Sequence, residues 1–172
     1  MNRFARFLFA VAAAATLLTG PAASVASAQD TIGGHIGFVL PLVTRANGVT
    51  TTIADDFTIG FPMGITVRRS QNFAFDLEIV PSVQNDPLHI GLTVHPGIVG
   101  GLGGGWGAGV RLAFDVNQAS WGFTPIVNHG LLQVGRGASL FAELVLPIRF
   151  QENAAGNSFT SFGVGVHVGV GF

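Results

Sequence analysis

The chain has 172 residues and a formal net charge of −1, with 48% hydrophobic and only 10% charged residues. A soluble domain carries about 25% charged residues, so this composition argues against a water-exposed surface over most of the protein, and it also argues against disorder. The absence of Cys excludes disulfides and thiolate metal sites, and the absence of Lys or any basic patch argues against nucleic acid as a partner.

Residues 1–28 have the three parts of a secretory signal peptide, namely two arginines (Arg3 and Arg6), an apolar stretch of twelve residues, and an Ala-Ser-Ala motif directly before Gln29. A membrane-spanning helix needs about 20 apolar residues, so this stretch is too short to be an anchor. We therefore predict a cleaved signal over 1–28. A single domain over 29–172 follows, with six Arg against nine acidic residues and a net charge of −3.

Hydrophobic residues in the remaining chain recur with a period of two, which indicates β-strands. Gly and Asn-rich turn compositions separate the strands. The pattern loses its regularity only near residues 128–137. Eight strands are predicted, at Thr31–Thr44, Asp56–Arg68, Phe73–Gln84, Leu88–Gly97, Gly104–Val116, from Trp121 onward, Ser139–Gln151 and Phe159–Phe172.

The two faces of these strands differ in chemistry. One face carries bulky apolar residues, such as Ile36, Phe38, Leu40 and Leu42 in the first strand. The opposite face carries small residues and nearly all the charges: His35, Arg68, Asp76, Glu78, His89, His95, Arg111, Asp115, Glu143, Arg149 and His167. An apolar outside and a polar inside are typical of a transmembrane β-barrel. We predict an all-β fold, an eight-stranded antiparallel up-and-down transmembrane β-barrel.

Aromatic side chains on the apolar face fall near the two ends of the strands when the amino terminus is placed in the periplasm. Membrane barrels carry such aromatic girdles at both lipid–water interfaces. The predicted girdle consists of Phe57, Phe73, Trp106, Phe114, Trp121, Phe123, Phe150 and Phe162.

The last predicted strand alternates from Val164 and ends in Phe172. With it, residues 29–172 resemble the small bacterial outer-membrane barrels of the OmpA/OmpX type. The resemblance implies a place in the outer membrane of a Gram-negative-type bacterium and contact with outer-membrane lipid. It also implies insertion by the barrel assembly machinery, which would read Val168, Val170 and Phe172. The outer connections are short for an adhesin of this class, and we expect a monomer.

The inward charges must pair, because eight strands enclose a lumen that side chains fill and an unpaired buried ion is costly. Hairpin geometry places Glu143 opposite His167, and Asp76 or Glu78 opposite His95. Arg68 lies one diagonal step from Asp76, and Arg–Asp pairing is expected in the outer half. The predicted lumen network comprises Arg68, Asp76, Glu78, His95, Arg111, Asp115, Glu143, Arg149 and His167. Inward glycines predict water-filled gaps beside it and at most a narrow, low-conductance path.

Two more specific interpretations of the inward residues, a metal site and an enzyme active site, have less support than a structural charge network. Four inward histidines near carboxylates could ligate a metal, but they lack ligand spacing, so no metal or cofactor is predicted. Glu143 and His167 could belong to a lipid-modifying enzyme, but only Ser158, Ser161 and His129 lie nearby and no His-x-Ser motif occurs. We predict a non-enzymatic protein with a structural or weakly permeable role; a lipid-modifying enzyme and a soluble secreted barrel are the alternatives.

Overall fold

The computed structural model describes residues 32–70, 72–85, 87–116, 118–153 and 155–172; the predicted signal peptide lies outside them. These residues form one antiparallel sheet of eleven strands. The strands are Ile32–Ala46 (β1), Val49–Thr52 (β2), Thr58–Gly60 (β3), Met63–Ser70 (β4), Phe73–Gln84 (β5), His89–Gly103 (β6), Trp106–Asp115 (β7), Ser120–Gln133 (β8), Ser139–Val145 (β9), Ile148–Glu152 (β10) and Ser158–Gly171 (β11). Within the described ranges, no helix is long and apolar enough to cross a membrane.

The sheet closes on itself, because β1 pairs with β4 on one side and with β11 on the other. The β1–β11 ladder is long and runs from the pair His35–Gly171 to the pair Ala46–Ser161. The eleven strands occupy eight positions in the ring, since β2, β3 and β4 share the second position and β9 and β10 share the seventh. The predicted eight-stranded antiparallel up-and-down barrel is confirmed.

The ring has two mouths. The upper mouth carries the β1–β2, β5–β6, β7–β8 and β10–β11 connections, and the lower mouth carries the other hairpins together with Ile32 and Phe172. At the upper mouth, Asn47 and Gly48 form a two-residue hairpin with φ of 51° and 79°. Two positive φ values are those of a type I′ turn, whose twist matches that of the flanking strands.

Two prolines account for two of the three interruptions by which eight positions hold eleven strands; the third, between β2 and β3, is a turn over residues 53–57. Proline has no N–H to donate to a ladder. Pro62 separates β3 from β4, and its carbonyl accepts a hydrogen bond from the N–H of Gly37 at 3.0 Å. Pro147 separates β9 from β10, and its carbonyl accepts from the N–H of Gly163 at 2.8 Å. The neighbouring strands therefore remain bonded across both interruptions.

The first strand contains a β-bulge, so its alternation of inward and outward residues differs from the prediction after Pro41. The β1–β11 register shifts between Pro41 and Val43, so Leu42 is an extra residue. An extra residue reverses the phase of everything that follows it. Val43, 39% exposed, therefore continues the outward face beyond the bulge in place of Leu42. Arg45 pairs with Thr50 on β2 at the upper mouth, and its Nη1 donates to the Thr50 hydroxyl at 3.1 Å.

The strand at the sixth position is also longer and more regular than its sequence indicates. Strand β8 continues through the segment near His129 where the pattern becomes irregular, and a register shift between Gly130 and Leu132 accounts for the irregularity. Likewise, β6 continues to Gly103, six residues past the predicted end at Gly97.

The outward face of the ring is apolar at every position. Large exposed side chains on that face include Ile36 (55% exposed) and Ile90 (66% exposed). Similar outward residues occur on the remaining positions, for example Ile65, Ile79, Val110, Val127, Leu144 and Val164. Polar and charged groups instead make up most of the buried side chains. This is the reverse of a water-soluble barrel.

Candidate functional site

Seven charged or titratable side chains with less than 10% exposure meet inside the barrel: His35, Asp76, Glu78, His95, Arg111, Glu143 and His167. They come from β1, β5, β6, β7, β9 and β11 and share the inward phase of their strands. Together with Arg149 from β10 we call them the plug.

Arg111 lies at the centre of the plug. Its Nε donates to Asp76 Oδ2 at 2.8 Å, and its Nη1 donates to Glu143 Oε1 at 2.7 Å. The same Nη1 lies 3.6 Å from Glu78 Oε2. Asp76 and Glu78 are on β5, the third position of the ring, whereas Glu143 is on β9, the seventh. The guanidinium, whose planar fork carries five donors, therefore connects opposite walls of the barrel.

Three imidazoles surround the carboxylates. His35 Nε2 lies 2.9 Å from Glu78 Oε2, and His95 Nδ1 lies 3.0 Å from Glu78 Oε1. His167 Nδ1 lies 3.2 Å from Glu143 Oε1. The expected cross-strand neighbours, Glu78 opposite His95 and Glu143 opposite His167, face each other in the strand register.

The structure arranges the upper part of the predicted network differently. Arg149 donates to the Thr124 hydroxyl at 3.0 Å and lies 3.1 Å from His95 Nε2. Asp115 accepts a hydrogen bond from the Thr93 hydroxyl at 2.6 Å. No ion pair joins Arg149 to Asp115 in the described part of the chain, so the expected Arg–Asp pairing there is replaced by hydrogen bonds to threonine.

Arg68 is separated from the plug. It is exposed at the lower mouth, where a register shift between Arg68 and Ser70 ends the regular β4–β5 ladder. Its expected partner Asp76 instead accepts from Arg111 and, at 2.7 Å, from the hydroxyl of Thr66. Over the residues that the structure describes, Arg68 has no ion pair within 4 Å.

The inward glycines beside the plug leave less space than the sequence indicates. A Cβ on Gly64 would collide with the ring of His35, and a Cβ on Gly97 would lie 2.7 Å from Arg111 Cγ. A Cβ on Gly37 would lie 2.8 Å from His167 Nε2. These glycines make room that the long plug side chains occupy, so the centre of the lumen is packed.

Apolar lumen residues complete the packing and were missed from the sequence. Phe141 contacts both His167 and His35 edge-on, with ring centroids 5.0 Å and 6.0 Å apart. Ile126 is 2% exposed on the inward phase of β8. Phe141 could have been predicted from the sequence, because it is two residues before Glu143 and therefore lies on the same face of the strand.

A polar cavity of about 120 Å³ lies above the plug at the upper mouth. His89 is exposed there, at the start of β6, and so lies apart from the plug. The cavity is lined by hydroxyl, amide, imidazole and carboxylate groups, among them Thr58, Ser82, Gln84, His89, Thr93 and Asp115.

Beside the upper mouth, Asp55 accepts hydrogen bonds from the hydroxyl and the backbone N–H of Thr52, and these lower the pKa of Asp55.

The predicted girdle residues lie at the two ends of the outward face. At the upper end, Trp121 packs against Phe150 with ring centroids 4.8 Å apart, and Phe114 is its partner in the β7–β8 register. Trp106 lies at the lower end, where His129 stacks on it at 4.4 Å. The remaining members follow the same division, with Phe57, Phe123 and Phe162 toward the upper mouth and Phe73 at the lower one.

The plug contains atoms that could ligate a metal. One ligand atom each from Glu78, Glu143 and His167 lies within 4.8 Å of the others. However, Arg111 Nη1 lies 2.7 Å and 3.6 Å from the two carboxylate oxygens. The guanidinium thus takes the position of a cation, and we assign no metal there.

The serines that the enzyme interpretation names on β11 lie apart from the plug. Ser161 lies six positions from His167 along β11, which is about 20 Å at the rise of a strand. Its hydroxyl accepts a hydrogen bond from Gln151 Nε2 at 2.9 Å. His129 points outward and stacks on Trp106.

No protein-family model matches the chain, and no curated protein sequence matches it either. The chain is similar to a solved structure of the outer membrane protein OprG from Pseudomonas aeruginosa. The TM-score is 0.47 at 10% identity, and the match covers 82% of this chain and 94% of OprG. The functional proposal therefore depends on the geometry of this chain.

Proposed function

We propose that the chain is an integral outer-membrane β-barrel protein with a closed lumen and a structural or weakly permeable, non-enzymatic role. The observation that carries the proposal is the closed ring with an apolar outside and a charged inside. Lipid offers no hydrogen bonds, so only a sheet without edges can cross it. The exposed apolar outward face would be a liability in water, but it suits a hydrocarbon environment.

The plug supports a lumen without a wide pore. Arg111 connects the β5 wall to the β9 wall, and Phe141 and Ile126 fill space beside it. A path for ions then requires Arg111 to exchange carboxylate partners. The permeability we propose is therefore small and intermittent.

The two alternatives are less compatible with this arrangement. For a lipid-modifying enzyme, Glu143 and His167 are both buried within the lumen and Glu143 is engaged by Arg111, so lipid cannot reach them. For a soluble secreted barrel, the charged and apolar faces would have to be exchanged.

We further propose a membrane orientation with the lower mouth in the periplasm. We propose a mature chain over 29–172, monomeric in the membrane, with two aromatic girdles in contact with outer-membrane lipid. Val168 and Val170 face outward on β11, and Phe172 is exposed at its end. We propose that the barrel assembly machinery reads these three residues.

Membrane fractionation tests the proposal. The expressed chain should sediment with outer membranes, resist an alkaline wash, and require detergent for extraction. A mature chain that stays in solution without detergent would contradict a membrane barrel and support the soluble alternative.

A further inference from the structure

The acidic and basic groups of the plug do not balance. Asp76, Glu78 and Glu143 supply three negative charges, whereas Arg111 and Arg149 supply two positive ones. Asp115 is not counted, because it is only half-buried, lines the polar cavity at the upper mouth and is hydrogen-bonded to Thr93. With neutral histidines the plug would carry a net charge of −1. Because an excess charge away from water is costly, one further positive charge is expected among the three plug histidines.

His95 is not the carrier of that charge. Its Nε2 lies 3.1 Å from Arg149 Nη2. A guanidinium can only donate hydrogen bonds, so Nε2 must be a bare acceptor. The ring proton is then on Nδ1, which donates to Glu78 Oε1 at 3.0 Å. His95 is therefore a neutral imidazole.

His167 is also better suited to the neutral form. Its Nδ1 lies 3.2 Å from Glu143 Oε1 and 4.0 Å from Glu78 Oε2. Its Nε2 is buried beside Gly37 and has no hydrogen-bond partner among the described residues. A proton on Nε2 would leave a buried donor unsatisfied, and that arrangement is unfavourable.

Both ring nitrogens of His35 face carboxylates. Nε2 lies 2.9 Å from Glu78 Oε2, and Nδ1 lies 3.9 Å from Asp76 Oδ1, within ion-pair distance. The ring stands over Gly64, which leaves no room for another side chain there. Other charged or titratable groups face this part of the plug from every strand packed on it: His95 from β6, Arg111 from β7, Glu143 from β9, His167 from β11 and, at the lower mouth, Arg68 from β4.

We propose that His35 is the proton-binding site of the plug. When His35 takes up a proton from water, three positive charges balance three carboxylates, and when it releases the proton a net negative charge remains. This inference adds a proton-binding site to the closed lumen proposed above. It rests on that proposal only where an effect on permeability is concerned. Release of the proton should loosen the plug, because Asp76 and Glu78 then share one cation fewer.

Nitrogen-15 spectra of the histidine rings, recorded on the mature chain in detergent micelles, test the assignment. Imidazolium and the two neutral tautomers give different ring-nitrogen shifts, and single His→Gln variants assign the signals. As the pH is lowered, His35 should be the first plug histidine to become imidazolium, while His95 and His167 keep the Nδ1–H tautomer. A proton taken first by His95 or His167, or a neutral His35 down to about pH 5, would overturn the proposal.

A stability measurement separates charge from packing. The temperature at which the detergent-solubilised barrel unfolds should fall as the pH rises and His35 releases its proton. His35→Gln should lose this step, and the matched variant His167→Gln should keep it. The same step in both variants would contradict the site. Neither measurement depends on membrane location, so failure here leaves the proposed function standing.

Discussion

Arg111 and Glu143 face each other inside the barrel through two contacts, from Nη1 to Oε1 at 2.7 Å and from Nη2 to Oε2 at 3.4 Å. The other edge of the same guanidinium is bound to Asp76. One side chain thus holds carboxylates from opposite walls. The closed lumen that we propose depends on this relationship.

We expect Glu143→Ala to destabilise the barrel, because it leaves Arg111 and His167 without a carboxylate that both contact. Removing one partner of a buried ion pair costs about 3–5 kcal/mol. Heat-modifiable gel mobility measures the effect as a lower temperature of the folded-to-unfolded shift. The control is Leu144→Ala, at the next position on the outward face, and an equal shift in both variants would contradict a structural role for the plug.

A glycine substitution tests the packing of the plug. A Cβ on Gly64 would collide with the His35 ring, whereas a Cβ on Gly171 meets nothing closer than 3.8 Å. Gly64→Ala should therefore lose about 1–3 kcal/mol of stability, the usual cost of overpacking. Gly171→Ala is the matched control on an inward strand position. Urea unfolding of the two variants should differ, and equal midpoints would show that the space beside His35 is loose.

Phe172 is expected to matter for insertion. Its N–H and carbonyl exchange hydrogen bonds of 2.9 Å and 2.8 Å with Gly34, and these continue the ladder that closes β11 on β1. Phe172→Ala should reduce the amount of protein in outer membranes and raise its degradation in the periplasm. Phe38→Ala, another exposed aromatic on the outward face, is the control. Normal membrane levels of the Phe172 variant would refute the assembly role.

The period-two pattern was sufficient to predict the ring. A shift of one residue would exchange the apolar and polar faces of a strand, so the pattern defines which side chains point inward. The pattern identified the inward phase of Glu78, Arg111 and Glu143, and two cross-strand pairs followed from hairpin register. It could not reveal the bulge at Leu42, because an extra residue has no signature of its own in an apolar run.

The partners of the long side chains were harder to predict. Arg111 contacts β5 and β9, neither of which is its neighbour in the sheet, so hairpin register alone does not give those contacts. Arg68 was expected to reach Asp76, but the position of Arg68 at the exposed lower mouth takes it out of the plug. Glycines beside the plug, such as Gly64 and Gly37, were interpreted as empty space, although His35 and His167 fill the space next to them.

Planar-bilayer recording tests the closed membrane barrel most directly. The unmodified mature chain should give at most small, intermittent conductance, and Glu143→Ala, with the Arg111 bridge broken, should conduct more than Leu144→Ala under the same conditions. Conductance from the Glu143 variant also shows that the chain inserts. A large and stable porin-like conductance from the unmodified protein would contradict the plug, as would identical traces from the two variants.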